Sequence, residues 1–129
     1  MMKSDPQIVA VPGLPATNAT YSQAVRVGDL VFVSGQLGID PQTGSLAPGG
    51  AVAEYRQALA NLACILEACG TSMKRIVKTT VYMTDISQLA ELNEVYGEVV
   101  KMFPPAKTGV EVRRLALGGQ VEIEAVAAL

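Results

Sequence analysis

The sequence has 129 residues, half of them hydrophobic, which is enough for one domain with a hydrophobic core over residues 1–129. Its 10 basic and 12 acidic residues give a net charge of −2, and this argues against nucleic-acid binding because there is no excess of positive charge for a polyanion. There is no histidine, which excludes Ser-His-Asp triads, Cys-His dyads and nearly all zinc sites, so we expect no metal requirement.

The N-terminal part of the chain is predicted to form β-structure. Residues 7–11 (QIVAV) are a short strand candidate. Residues 21–27 alternate in polarity and are followed, after a Gly-Asp turn, by the β-rich run of residues 30–39, which together predict a hairpin. Residues 40–50 have the composition of a loop.

Two helices are predicted in the middle of the chain, over residues 51–69 and 86–102. The first has apolar residues at helical spacing and ends where Gly70 can take the C-terminal capping position. The second follows Asp85 and Gln88, which resemble a capping box, and a proline pair ends it.

Three further strands complete the predicted fold, over residues 75–84, 108–114 and 120–127. The order is therefore β-β-β-α-β-α-β-β, an α+β arrangement in which two helices cover one face of a mixed sheet.

The strand over residues 30–39 is predicted to be apolar on both faces. Leu30 and Phe32 point to one face, and the other face carries Val31, Val33 and Leu37. Two helices cover only one face, so the other face needs another chain. This pattern predicts a homo-oligomer.

The start of the chain does not resemble a signal peptide, because Asp5, Pro6 and Pro12 interrupt it, and no apolar run reaches the roughly 18–20 residues that span a bilayer. We therefore expect a cytoplasmic protein. Cys64 and Cys69 lie about 140° apart around the first predicted helix, which indicates two buried, inert thiols.

Two groups of polar residues lie on predicted strands. Ser34, Gly35 and Gln36 interrupt an apolar strand, which indicates either a β-bulge or crowded contact, or the close approach of a backbone or a ligand. Without histidine as a base, Ser34 is not expected to be a nucleophile. Glu122 and Glu124 share a strand face with Cα atoms about 6.6 Å apart, which is usual for a solvated face, although one carboxylate facing an enclosed pocket could orient a water molecule.

Lys107 stands alone near the start of a predicted strand, and by itself it is either a solvated strand end or an anchor for an anion. Tyr21 and Asn93 carry no functional signal of their own. From the residues alone, the chain is an α+β oligomer with a small pocket.

Five short motifs occur in order, YSQAV, VSGQ, KTTVYMTD, NEVY and VEIEA, and they resemble the RidA (YjgF) family over about residues 18–129. The resemblance implies a chorismate-mutase-like protomer that assembles as a trimer around a β-barrel core, with pockets between neighbouring subunits. It also implies hydrolysis of 2-imino and enamine acids to 2-keto acids and ammonia, without a metal or an organic cofactor.

The same resemblance implies roles for individual residues. Glu122 is the carboxylate that positions the hydrolytic water. The residues implied to bind substrate are Tyr21, Ser34, Gly35, Asn93, Lys107 and Gly109. Many family members have cysteine at the position of Gly109. The backbone of this residue, rather than its side chain, has the substrate-binding role, so glycine is compatible with it.

The sequence departs from the family pattern at two places. Lys107 stands where the family has the arginine that clamps the substrate carboxylate, and lysine offers a point charge without a planar fork. Arg113 has the parity of Lys107 but lies about 20 Å further along the predicted strand, so it cannot replace the arginine within one chain. Ala19 and Thr20 stand where the family usually has Gly-Pro, which predicts a reshaped loop before Tyr21.

Three hypotheses follow. The first is an imine or enamine deaminase, and the second is a trimer that binds small carboxylates without turnover. The third is an endoribonuclease, which the acidic balance and the lack of histidine disfavour.

Overall fold

The computed structural model describes residues 5–14 and 20–129, and their strands form one mixed sheet. The elements in chain order are β1 (Gln7–Val9), β2 (Ala24–Val27), β3 (Leu30–Leu37), α1 (Ala51–Ala68), β4 (Ile76–Met83), α2 (Leu89–Val100), β5 (Ala106–Glu111) and β6 (Val121–Ala128). This is the predicted order of strands and helices. Ala19, one of the two departures before Tyr21, lies outside the described residues.

The sheet has the strand order β1-β2-β3-β6-β4-β5. Its strands pair antiparallel except β4 and β5, which are parallel and are connected through α2. The last strand, β6, thus lies in the centre of the sheet between β3 and β4. This placement brings the acidic residues of β6 against side chains from both neighbouring strands.

The two faces of the sheet differ in how they are covered. Both helices pack on one face, where the core includes Val31, Val81 and Ile123, all essentially inaccessible to solvent. On the other face, which we call the open face, Phe32 is 46% exposed and Leu30 is 38% exposed. The predicted two-faced apolar strand is confirmed, and the oligomer inferred from it remains a prediction.

A β-bulge changes the facing of β3 in its second half. Val33 pairs with Ala125, whereas Gln36 pairs with Ile123 and Leu37 pairs with Glu122. The extra residue reverses the alternation, so Leu37 shares the face of Glu122. The expectation that Leu37 shares the face of Val31 and Val33 is therefore wrong.

The first helix ends as predicted at Gly70, whose φ of 84° lies in the left-handed region. The Gly70 amide donates to the Glu67 carbonyl, and the Thr71 amide donates to the Leu66 carbonyl, both at 3.0 Å. These two bonds form a Schellman motif that satisfies carbonyl groups at the end of the helix. Cys69 next to it is buried and Cys64 is only partly buried, so the prediction of buried thiols is confirmed for Cys69 alone.

The second helix starts later than predicted. Residues 86–88 form a 3₁₀ turn, and α2 begins at Leu89. The Asp85 carboxylate accepts bonds from the Ser87 amide at 3.0 Å and from the Ser87 hydroxyl at 2.6 Å. Asp85 therefore caps a 3₁₀ turn instead of forming the capping box expected with Gln88, because its short side chain reaches the amide two residues away.

Two strand boundaries near the predicted site also differ from expectation. The strand predicted over residues 108–114 is β5, Ala106–Glu111, so Lys107 lies inside the strand and Arg113 beyond it. Among the strands that the structure describes, β5 pairs with β4 alone and is therefore an edge strand, and that ladder ends where Met83 pairs with Glu111. β2 begins at Ala24 because its pairing with β3 stops at the bulge, so Tyr21 precedes the strand.

In residues 5–14 and 20–129, no helix is long and apolar enough to cross a membrane.

Candidate active site

Four of the seven residues predicted for the site line one cavity of about 620 Å³, and they are Tyr21, Ser34, Gly35 and Glu122. The bulge of β3 and the first residues of β6 form much of its wall. The other predicted residues, Asn93, Lys107 and Gly109, form a separate group beside α2. The structure therefore divides the predicted site into two clusters, which we call the glutamate cluster and the lysine cluster.

The bulge fixes the segment that carries Tyr21. The Ser34 hydroxyl donates to the Ser22 carbonyl at 2.6 Å, and the Ser34 amide donates to the Gln23 carbonyl at 2.9 Å. Ser34 thus ties the chain just after Tyr21 to the wall of the cavity, and its proton is already engaged. Tyr21 is 55% exposed, which leaves much of its ring at the mouth of the cavity.

Gly35 permits the closest contact in the glutamate cluster. A Cβ atom at position 35 would lie 2.9 Å from both Cδ and Oε2 of Glu122, which is too close for any side chain without movement of the carboxylate. The bulge and the crowded contact suggested by the sequence are thus both present at this position, and the close approach of a ligand remains a prediction.

The Glu122 carboxylate is half-buried and close to a second acid. Burial, followed by the charge of Glu124, raises the pKa of Glu122 above its usual range. Glu124 also lines the cavity, and its carboxylate accepts a hydrogen bond from the Tyr82 hydroxyl of the neighbouring strand. Glu122 is therefore a carboxylate with increased proton affinity in a cavity large enough for a small organic molecule.

The lysine cluster is held by α2 and β5. Lys107 Nζ donates to Asn93 Oδ1 at 2.8 Å and lies 5.3 Å from the centroid of the Tyr96 ring. Burial lowers the pKa of Lys107, because the ammonium form loses water contacts. Gly109 is on the same side, since a Cβ atom there would lie 3.5 Å from Lys107 Nζ.

The two clusters lie on opposite faces of the sheet. Lys107 pairs with Thr79, whose hydroxyl is buried under α2 and is 2.7 Å from the Tyr96 hydroxyl. Glu122 pairs with Tyr82, three residues further along β4, and alternation puts Thr79 and Tyr82 on opposite faces. Within one chain, a small ligand cannot touch both Lys107 and Glu122.

Sequence reasoning missed two buried polar residues of α1 that hold the walls of the cavity. Glu54 accepts bonds from the Gln120 amide at 2.8 Å and from its side-chain amide at 3.2 Å, which fixes the turn before β6. Asn61 donates to the Leu37 carbonyl at 3.3 Å and to the Ile39 carbonyl at 2.9 Å, where β3 ends. The feature of the sequence that could have revealed them is their spacing. Two polar residues seven positions apart lie on the same face of a helix, and here that face is the apolar one.

Among the residues that the structure describes, no group of three or more His, Cys, Asp or Glu side chains is arranged to hold a metal ion.

Comparisons with known proteins show the family and the fold. A profile of the family described as Endoribonuclease L-PSP matches residues 13–129. A 2-iminobutanoate/2-iminopropanoate deaminase of Capra hircus is 43% identical over 121 residues, which cover 94% of this chain and 88% of the relative.

Solved structures resemble the described fold closely. RidA from an Antarctic Psychrobacter matches with a TM-score of 0.89 and 42% identity, over 95% of this chain and 99% of that one. Escherichia coli TdcF with bound serine matches with a TM-score of 0.87 and 35% identity, over 95% and 98% of the two chains. The predicted RidA-type α+β protomer is confirmed.

Proposed function

Because this chain belongs to the RidA (YjgF) family, we propose that it hydrolyses 2-imino and enamine acids to 2-keto acids and ammonia. Relatives that bear the name 2-iminobutanoate/2-iminopropanoate deaminase support this at 40–43% identity over most of the chain. The observation that carries the proposal is the half-buried Glu122 carboxylate, set against Gly35 in a cavity of about 620 Å³.

Glu122 is proposed to act as the base. Its carboxylate takes a proton from a water molecule as the water oxygen bonds to the carbon of the protonated imine, which gives a neutral carbinolamine. Glu122 returns this proton to the nitrogen, and the C–N bond then breaks as the hydroxyl proton passes to the carboxylate, so that the carbonyl forms and ammonia leaves. A carboxylate with a raised pKa is suited to this exchange because it accepts the proton readily and returns it.

The active site is proposed to form between two chains of a homotrimer. Each described chain has the two clusters on opposite faces of its sheet, so a second copy is needed to bring the lysine cluster of one chain to the glutamate cluster of another. The exposed apolar side chains Leu30 and Phe32 of the open face support such an assembly. Light scattering should report a trimer at micromolar concentration, and a monomer would contradict the shared site.

Lys107 is proposed to hold the substrate carboxylate, with Asn93 beside it. Tyr21, Ser34, Gly35 and Gly109 are proposed to shape the rest of the substrate pocket. Lysine supplies the required charge but not the two parallel hydrogen bonds of a guanidinium, so we expect a weaker grip on the carboxylate than arginine would give.

The direct test is an assay of ammonia and keto-acid release from 2-iminopropanoate generated in situ. The purified protein should accelerate its hydrolysis above the buffer rate. If pyruvate binds but imine hydrolysis is not accelerated, the chain is a metabolite-binding protein, a second candidate that the serine-bound TdcF structure favours. An RNA cleavage assay tests the endoribonuclease name of the family, and we expect no cleavage from a chain with net charge −2 and no histidine.

A further inference from the structure

The amine of Lys107 lies in surroundings that are largely apolar. The Tyr96 ring covers one side, with its centroid 5.3 Å from Nζ. The space that a side chain at Gly109 would fill is bordered by Nζ at 3.5 Å and by methyl groups of Leu89 and Met83, each at 3.6 Å. Because residue 109 is glycine, no side chain fills this space beside the amine.

No carboxylate balances the charge of Lys107 within the described residues. The ion pair they contain joins Arg56 of α1 and Glu98 of α2, which are both exposed and do not include Lys107. The hydrogen-bond acceptor of Lys107 is the neutral Asn93 oxygen at 2.8 Å. An ammonium in this position has lost water without gaining an anion, and the Tyr96 ring compensates for only part of that loss.

We propose that the neutral amine of Lys107 is a nucleophile that condenses reversibly with 2-keto acids. Its lone pair bonds to the carbonyl carbon to give a carbinolamine, and loss of water gives a Schiff base, which water hydrolyses back to the amine and the keto acid. With a 2-imino acid, the same attack expels ammonia instead of water.

The ammonium form of Lys107 holds a carboxylate, and its neutral form reaches the adjacent carbonyl carbon. Burial lowers the pKa of Lys107, which increases the fraction of neutral amine. The choice of a 2-keto acid as the reacting carbonyl rests on the proposed function, because that reaction forms a 2-keto acid beside this amine.

The test is reductive trapping with pyruvate and cyanoborohydride, followed by intact mass measurement and peptide mapping. Cyanoborohydride reduces the Schiff base to a stable secondary amine. We expect one reduced pyruvate per chain, at Lys107 and severalfold in excess over Lys78, a partly exposed lysine that donates to the Thr108 hydroxyl at 2.8 Å and serves as the internal reference.

Two variants make the test specific. Lys107→Arg keeps the charge but has no nucleophilic amine at neutral pH, so the adduct should disappear, whereas Lys78→Arg should not change labelling at Lys107. Equal labelling of Lys107 and Lys78, or undiminished labelling of the Lys107→Arg protein, would overturn the proposal.

The trapping experiment is separable from the imine assay. Imine hydrolysis without an adduct at Lys107 would leave the proposed function intact and remove this inference. An adduct at Lys107 without imine hydrolysis would contradict the proposed function and support the proposal that Lys107 condenses with 2-keto acids.

Discussion

The glutamate cluster and the lysine cluster respond to the same physical effect in opposite directions. Burial raises the pKa of Glu122 and lowers the pKa of Lys107, so each group is pushed toward its neutral form. The acid thereby becomes a better base, and the amine gains nucleophilic character. Under the proposed function, this partial desolvation on the two faces of one sheet suits two groups of opposite charge to chemistry on a carboxylate with an adjacent carbonyl or imine carbon.

The two clusters also differ in how firmly the fold holds them. Glu122 lies on the central strand, with β3 and β4 paired on either side of it and Glu54 fixing the turn before it. Lys107 lies on the edge strand, with a ladder on one side only and a side-chain bond to the exposed Asn93. We therefore expect substitutions in the glutamate cluster to disturb geometry and turnover, and substitutions in the lysine cluster to act mainly on binding.

The largest effect should follow removal of the base. Glu122→Gln keeps the size of the side chain but cannot accept the proton from water, so kcat for imine hydrolysis should fall by about 10²- to 10⁴-fold. Pyruvate affinity, measured by calorimetry, should change much less, because the anchor for the carboxylate remains. A loss of affinity equal to the loss of kcat would mean that Glu122 holds the ligand rather than the water.

A matched pair of glycine substitutions should reveal the difference in packing. Gly35→Ala puts a Cβ atom 2.9 Å from the Glu122 carboxylate, whereas the Cβ of Gly109→Ala would have ordinary contacts of 3.5–3.6 Å. We expect Gly35→Ala to lower kcat at least about tenfold by displacing the base, which corresponds to about 1.4 kcal/mol, and Gly109→Ala to lower it much less. Equal losses in the two variants, at equal melting temperature, would contradict this account of the packing.

The next effect concerns the anchor. Lys107→Ala should weaken pyruvate binding and raise KM by at least about tenfold, because it removes one charge-assisted hydrogen bond of about 1.5–3 kcal/mol. Lys107→Arg should lower KM if the pocket accommodates the larger, planar guanidinium group. If Lys107→Ala binds pyruvate as well as the wild type does, Lys107 is a solvated side chain of an edge strand.

The smallest effect is a shift in pH dependence. A carboxylate is a base only when ionised, so kcat/KM should fall as pH drops through the pKa of Glu122, which lies above its usual range. Glu124→Gln removes the neighbouring negative charge and should lower that pKa, which moves the acidic limb of the profile to lower pH. Tyr82→Phe is the control, because it removes the hydrogen bond to Glu124 and leaves both carboxylates in place.

Local patterns in the sequence were sufficient for much of the fold. The hairpin before α1 and the end of α1 at Gly70 depend on turn residues and on periodicity over a few positions, and both predictions are confirmed. The short motifs led to the RidA family, which the comparisons show.

The remaining features depend on contacts between distant segments. The facing of Leu37 depends on a bulge that is defined only against β6, and the end of β5 depends on where β4 ends. The separation of Lys107 from Glu122 follows from two strand registers that no local pattern contains. Glu54 and Asn61 could not be predicted as wall residues, because their partners lie at the end of β3 and just before β6, which are distant from α1 in the sequence.

The central claim is that one catalytic site takes Lys107 from one chain and Glu122 from another. Lys107→Ala and Glu122→Gln chains, each carrying a different affinity tag, can be co-expressed and the mixed oligomers isolated through both tags. If the site is shared, each isolated mixed trimer has one site of three with both residues intact, and at low substrate concentration it hydrolyses imine faster than either parent variant. If the mixed oligomers form and are no more active than the two parents, Lys107 and Glu122 do not act on the same substrate molecule.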